Sequence, residues 1–143
     1  MPERQPGLHG AGPAAALRDE GTSYHYLPAA RQVRTDPSAV AILVGLLEQR
    51  GIPHTAATTW TTDGLFRETR ERIERRRAEG CVTVEMETAA LTAVARFRGA
   101  RFGQYLYAGD DVSGPEWDHR RWTRSQVRSV VFELSVEAVT LLR

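Results

Sequence analysis

The stretch from Val82 to Ala90 constrains this chain more than any other. Val82 to Val84 has the β-favouring, apolar character of a short buried strand. Thr88 to Arg98 reads as a helix, with Ala90, Leu91, Val94 and Phe97 on one side and Gly99 as its stop. Only Glu85, Met86 and Glu87 separate the two, so an apolar strand turns directly into a helix across a pair of carboxylates.

The same alternation runs through the rest of the chain. Asp36-Pro37 has the chemistry of a helix start, with Asp36 as N-cap and Pro37 at the first helical position. Val40, Leu43, Val44 and Leu47 then form one apolar stripe, and Gly51 suits the position after the C-cap. Residues 52–60, rich in threonine, predict a strand. Residues 67–79 are almost wholly charged. Their Glu68/Arg72 and Glu71/Arg75 pairs, four apart, predict a solvated surface helix. Phe102 to Ala108 is mostly apolar and is expected as a central strand. Thr123 is expected to cap a last helix with Val127, Val131, Leu134, Ala138 and Leu141 on its apolar side. Strands alternating with helices, with the strands buried, define an α/β fold. Residues 1–16, rich in Pro, Gly and Ala and without periodicity, are expected to form a disordered or irregular lead-in, with the ordered domain over 17–143.

Bulk properties remove several classes of function. The 143 residues suit one domain, and 41% hydrophobic residues can build a core. Nineteen Lys and Arg against 18 Asp and Glu leave a net charge of +1, which favours neither nucleic acid nor an anionic membrane as partner. The single cysteine, Cys81, excludes an internal disulfide and fits a small buried hydrophobe in a reducing, cytoplasmic setting. There is no spanning apolar run or signal-peptide core. The four histidines lack the spacing of a metal site, so no metal is expected. Phosphate-loop and nucleophile-elbow motifs are also missing.

In α/β sheets ligands bind outside the carboxyl ends of strands. Glu85, Glu87, Asp110 and Asp111 are all expected at such ends. Ionised carboxylates accept hydrogen bonds only, so two of them together can hold a vicinal diol such as that of a ribose. Met86 offers a polarizable apolar surface to a sugar face. An Asp in a partly dry pocket can keep a proton and donate it, a role for which Asp110 is the candidate. Each residue also has a purely structural explanation. Glu85 can be a surface or capping acid, Glu87 a helix-start acid, Met86 a core residue, and Asp110 or Asp111 a strand terminator.

These residues together resemble a known family. Val84-Glu85-Met86-Glu87-Thr88-Ala89-Ala90 is similar to the Val-Glu-Met-Glu-x-Ala-Ala signature of the purine nucleoside phosphorylase and uridine phosphorylase family. Arg18-Asp19-Glu20-Gly21-Thr22-Ser23-Tyr24-His25-Tyr26 resembles its Arg-Asp-x-Gly-x-Ser-x-His-Tyr segment. Thr58-Thr59-Trp60-Thr61-Thr62-Asp63 resembles the stretch before its base-pocket loop, and Gly109-Asp110 falls where purine-cleaving members carry Ser-Asp. The resemblance covers about residues 17–142. It implies a three-layer α/β/α domain of which this chain is the C-terminal half. It also implies phosphorolytic cleavage of a nucleoside to free base and ribose 1-phosphate, with inorganic phosphate as co-substrate and no cofactor. Glu87 is then expected to bind ribose hydroxyls, Met86 to pack on the ribose, Glu85 to line the same pocket, Phe66 to stack on the base, and Asp110 to protonate a purine at N7.

Two departures qualify these implications. The family's phosphate-holding strand, Gly loop and Arg-x-Gly-Thr/Ser segment have no counterpart in this sequence. The chain is therefore expected to have its site completed by another chain, and, as half a domain with a sheet edge uncovered, to be marginally stable or a homo-oligomer; the alternative is a non-catalytic remnant, an assembly or nucleoside-binding module. In the base loop, Asp63-Gly64-Leu65-Phe66 puts Leu65 where an aromatic is expected, and the following residues lack the Gln-x-Arg pair of uridine-specific members. Asp110 therefore tips the expectation towards purine.

Overall fold

The computed structural model describes residues 10–107 and 124–142. Strand structure begins earlier than composition suggests. Gly10–Asp19 forms β1, so residues 10–16, expected in the lead-in, belong to the best-connected strand of the sheet. Its amino-terminal half is built from small residues, which signal no periodicity but allow close packing. A Cβ at Gly12 would lie 4.0 Å from both Val40 and Val44. Pro13 is tolerated because the register with the neighbouring strand shifts between Pro13 and Ala15, and a bulge does not require its missing N–H.

Around β1 stand β2 (Gln32–Arg34), β3 (His54–Thr62), β4 (Cys81–Glu85) and β5 (Leu106–Tyr107). The order is β2-β1-β3-β4, with β5 also beside β1. β3 runs parallel to β1 from Gly10↔His54 to Asp19↔Thr62, and β4 runs parallel to β3 as far as Thr61↔Glu85. β2 is antiparallel to β1. β5 is also antiparallel, opposite Gly10 and Ala11. This corrects the expectation of a central strand over 102–108. Most of that apolar segment packs on a helix instead of entering the sheet. A Cβ on Gly103 would come within 2.8 Å of Leu43, and the Tyr105 hydroxyl donates to the Leu43 carbonyl at 3.1 Å.

Four helices cover the sheet: α1 (Pro37–Gln49), α2 (Arg70–Ala78), α3 (Thr88–Arg98) and α4 (Arg124–Leu141). Asp36 caps α1 as its sequence predicts, accepting from the amides of Ser38 and Ala39. At the other end Gly51 takes a φ of 63°. The Gly51 and Ile52 amides then reach back to the Glu48 and Leu47 carbonyls, closing the helix with a paired C-terminal motif. Gly99 ends α3 in the same way. Ala16 and Leu17, consecutive in β1, point to opposite faces. Ala16 joins Val33 and Ala89 of α3, whereas Leu17 joins Trp60, Cys81 and Ile73 of α2, so helices lie on both faces of the sheet. Leu43, Leu46 and Leu47 of α1 bury Leu134 and Ala138 of α4, and Arg50 pairs with Glu133 and Glu137 across the same contact. Of the α4 stripe read from sequence, Leu134 and Ala138 are core while Leu141 is half exposed. Thr123, its expected cap, lies outside the described residues. Among the described residues no helix is long and apolar enough to cross a membrane.

Candidate functional site

Because β1, β3 and β4 are parallel, their carboxyl ends meet along one edge at Asp19, Thr62 and Glu85. Three connections leave from there: a 3₁₀ turn over 22–25, a second over 65–67, and the turn into α3. The Gly21 amide donates to Asp63 Oδ2 at 3.0 Å and ties the first two together.

At the third, the two glutamates behave differently. Glu85 ends β4, and both its carboxylate oxygens are engaged. Oε1 accepts from Thr61 Oγ1 at 2.5 Å and from Thr59 Oγ1 at 3.4 Å. Oε2 accepts from the amides of Glu87 at 2.8 Å and Thr88 at 2.6 Å. The first amides of a helix have no partner within it, and an anion suits the positive end of its dipole. Glu85 is thus the capping acid of α3, and its carboxylate is committed to the protein. Glu87 is the N-cap residue by position, but its side chain makes no capping bond. Its Oε2 accepts only a long bond, 3.3 Å, from the Met86 amide, and its Oε1 has no partner among the described residues. Met86 is 41% exposed beside it. Phe66, in the turn after β3, is 95% exposed. Three of the residues expected to contact substrate are therefore presented to solvent from one edge, while Glu85 supports them from behind.

Thr61 was not among the expected site residues, yet it organises this turn. It is fully buried; its hydroxyl donates to Glu85 and accepts from the Ala89 amide at 3.1 Å. The available signal was the alternation of Thr59-Trp60-Thr61. Trp60 enters the core on the α2 face, which leaves both threonines on the α3 face.

The neighbouring end of β1 is held by charge. Asp19 Oδ2 accepts from Trp60 Nε1, Arg72 Nη2 and Arg76 Nη2, each at 3.0 Å. The Arg72 and Arg76 guanidinium groups lie 5.9 and 5.5 Å from the Trp60 ring centre. Burial alone would raise the Asp19 pKa. The bonds from Arg76 and Trp60 and the charges of Arg72 and Arg76 outweigh it, and the carboxyl titrates below its usual value. The charge-rich helix is therefore only partly the solvated surface expected: Arg76 is buried and reaches into the sheet. Arg18 is also buried. It donates to Ser23 Oγ and to the Pro28 carbonyl, and Ser23 in turn bonds the Glu20 carboxylate through both its amide and its hydroxyl.

Asp110 and Asp111 lie outside the described residues. The expectation that their strand ends on the same edge as β4 is corrected by the direction of β5. Running antiparallel to β1 opposite Ala11 and then Gly10, it carries the chain towards the amino end of β1. No cluster of His, Cys, Asp and Glu able to hold a metal occurs among the described residues. Cys81 is buried, and burial raises its thiol pKa.

Comparison with known proteins agrees with this architecture. The structure of AMP nucleosidase from Bacteroides thetaiotaomicron VPI-5482 superposes with a TM-score of 0.73 at 24% identity, covering 95% of this chain. The chain spans about half of that protein's length (56%). No curated protein matches. The family described as the Phosphorylase superfamily matches residues 11–140, a span that runs from the small-residue start of β1 through the Glu85–Glu87 turn to the end of α4, and the chain belongs to that superfamily.

Proposed function

We propose that the carboxyl edge of β1, β3 and β4 is the ribose- and base-facing wall of a nucleoside-cleaving site whose reaction is phosphorolysis, with purine nucleosides favoured over uridine. The observation that carries this reading is the division of labour between the two glutamates. Glu85 is consumed by the protein, whereas Glu87, two residues on, presents an open carboxylate oxygen beside exposed Met86. A carboxylate so placed can accept from both hydroxyls of a ribose. Phe66 supplies a free aromatic face for the base.

In the reaction a phosphate oxygen bonds to C1′ of the ribose as the C1′–N bond breaks. The departing base takes the bonding electrons, and a proton at N7 lets a purine leave neutral. No donor for that proton is assigned among the described residues, since β5 runs to the amino end of β1, away from Glu87. The groups that hold phosphate come from outside these 143 residues. The fold likeness to a protein named a nucleosidase favours a second reading, in which water replaces phosphate.

The test joins binding to turnover. Saturation-transfer NMR should show magnetisation reaching the ribose protons of inosine, with Glu87→Ala abolishing the effect and Phe66→Ala weakening contact to the base. Because Phe66 is exposed, its removal should change stability by less than about 0.5 kcal/mol. Base release from inosine, adenosine and uridine is then followed with and without phosphate. Phosphate-dependent release supports phosphorolysis, and equal release without phosphate supports hydrolysis. Binding without release leaves a non-catalytic nucleoside-binding module. A folded chain that binds no nucleoside at millimolar concentration refutes the proposal.

A further inference from the structure

We propose that Thr61 and Glu85 form a positioning clamp that sets how well Glu87 grips a sugar diol, without either of them touching the substrate. The inference rests on the nucleoside reading above. The hydroxyl of Thr61 is wholly buried at the end of β3 and bridges two elements: it donates to Glu85 Oε1 at the end of β4 and accepts from the Ala89 amide in the first turn of α3. Glu85 extends the bridge with its other oxygen, taking the Glu87 and Thr88 amides at 2.8 and 2.6 Å. Three consecutive amides, from Glu87 to Ala89, are thereby fixed to the sheet through one hydroxyl and one carboxylate. Thr59 donates weakly to the same Oε1 and itself accepts from Thr83 Oγ1 at 2.9 Å, so the bridge is backed by a second pair of hydroxyls.

Beyond this bridge, buried Thr88 donates to Gln104 Oε1 at 2.8 Å and the Leu91 amide donates to the Glu87 carbonyl at 2.9 Å, but neither bond reaches the Glu87 side chain. Met86 and Glu87 are exposed, and the Glu87 side chain makes one long bond to its own backbone neighbour. The direction of the Glu87 carboxylate is therefore inherited from its backbone, and its backbone is held by Glu85. A diol grip needs two oxygens at fixed positions, whereas a base stacking on Phe66 does not depend on this turn. Loss of the clamp should accordingly weaken recognition of hydroxyls and spare recognition of the base.

Inosine and 2′,3′-dideoxyinosine separate the two. Thr61→Val keeps the side-chain shape and removes the hydroxyl. Glu85→Gln keeps one acceptor but cannot serve both Thr61 and the helix amides in the same way. For each variant the inosine Kd should rise about tenfold, the equivalent of one buried hydrogen bond. The dideoxyinosine Kd should stay within about twofold, since no diol is present. Thr61→Ser, which restores the hydroxyl, should recover inosine binding. Equal weakening of both ligands, or a Ser variant as weak as Val, overturns the clamp. A second readout stands apart from ligand binding: the amide-proton resonances of Glu87, Thr88 and Ala89 should move upfield in Thr61→Val and Glu85→Gln. If the unmodified chain binds neither ligand, the nucleoside reading fails and these resonances judge the clamp, which unchanged shifts would sink.

Discussion

Asp19→Asn tests how the sheet holds α2, and its size follows from three bonds. One carboxylate oxygen receives Trp60 Nε1, Arg72 and Arg76, all at 3.0 Å. The Arg76 side chain is 8% exposed, Asp19 22% and Arg72 30%. A hydrogen bond to a charged group contributes about 1.5–3 kcal/mol, but the three do not add in full. The Arg72 arm is partly solvated, Arg76 keeps Glu79 at 2.8 Å, and asparagine retains one acceptor. The remaining loss is about 3 kcal/mol, the lower end for breaking a buried ion pair. For a chain of this length that corresponds to a fall in Tm of about 10 °C. Urea denaturation followed by far-ultraviolet circular dichroism measures it. The pH dependence adds a second constraint. The folded Asp19 pKa lies below its model-peptide value of 3.8. Between the two values the unfolded chain binds more protons, so this contribution is complete above 3.8 and drains away as pH falls through the folded value. The gap between the native chain and Asp19→Asn should therefore narrow in acid. A difference under about 0.5 kcal/mol at neutral pH, the level of an exposed pair, would refute the reasoning. So would a gap that does not change with pH.

Two further outcomes follow from titrating groups. The side-chain bond from Ser38, helped by the amides of Ser38 and Ala39 and by Arg101, holds the Asp36 carboxyl down at about 2. Asp36→Ala should cost about 1 kcal/mol as a lost helix cap. That penalty should fade as pH drops from 3.8 towards about 2, as pH-resolved denaturation will show. Burial, reinforced by the charge of Glu137, pushes the Tyr105 phenol up to about 12. The native chain should lose stability as pH rises from 10 to about 12, because the unfolded phenol gives up its proton first. Tyr105→Phe should remove that decline while costing about 1 kcal/mol through the lost bond to Leu43.

Much of the fold was legible in the sequence where local chemistry and packing agree. Asp36-Pro37, Gly51 and Gly99 mark helix ends by backbone rules that need no tertiary partner, and all three stand where those rules put them. The strand-to-helix turn at Glu85–Thr88 was equally plain. What could not be read depended on partners far along the chain. Residues 10–16 look irregular because small residues carry no apolar alternation, and only the approach of Val40 and Val44 explains Gly12. Residues 102–105 look like a strand because they are apolar, yet their partner is α1 rather than the sheet. Within the candidate site, the motif located Glu85 and Glu87 but could not divide their work. That division depends on Thr61, a residue of unremarkable type whose burial is fixed by Trp60 beside it.

The position of β1 has a consequence for how the protein is made. Among the described strands it comes earliest in the sequence, and β2, β3 and β5 all pair on it. Its long parallel partner is complete only at Thr62, 43 residues after Asp19 (62 − 19). At about 5–20 residues per second that is a wait of about 2–9 s. Of the described strands that pair with β1, the three-residue β2 is the one completed during that interval. Vectorial synthesis thus leaves the backbone amides and carbonyls of the future sheet centre open to other chains until the second half of the sheet arrives. The yield of folded protein should therefore respond to translation speed between codons 20 and 62 more than to speed anywhere later in the message.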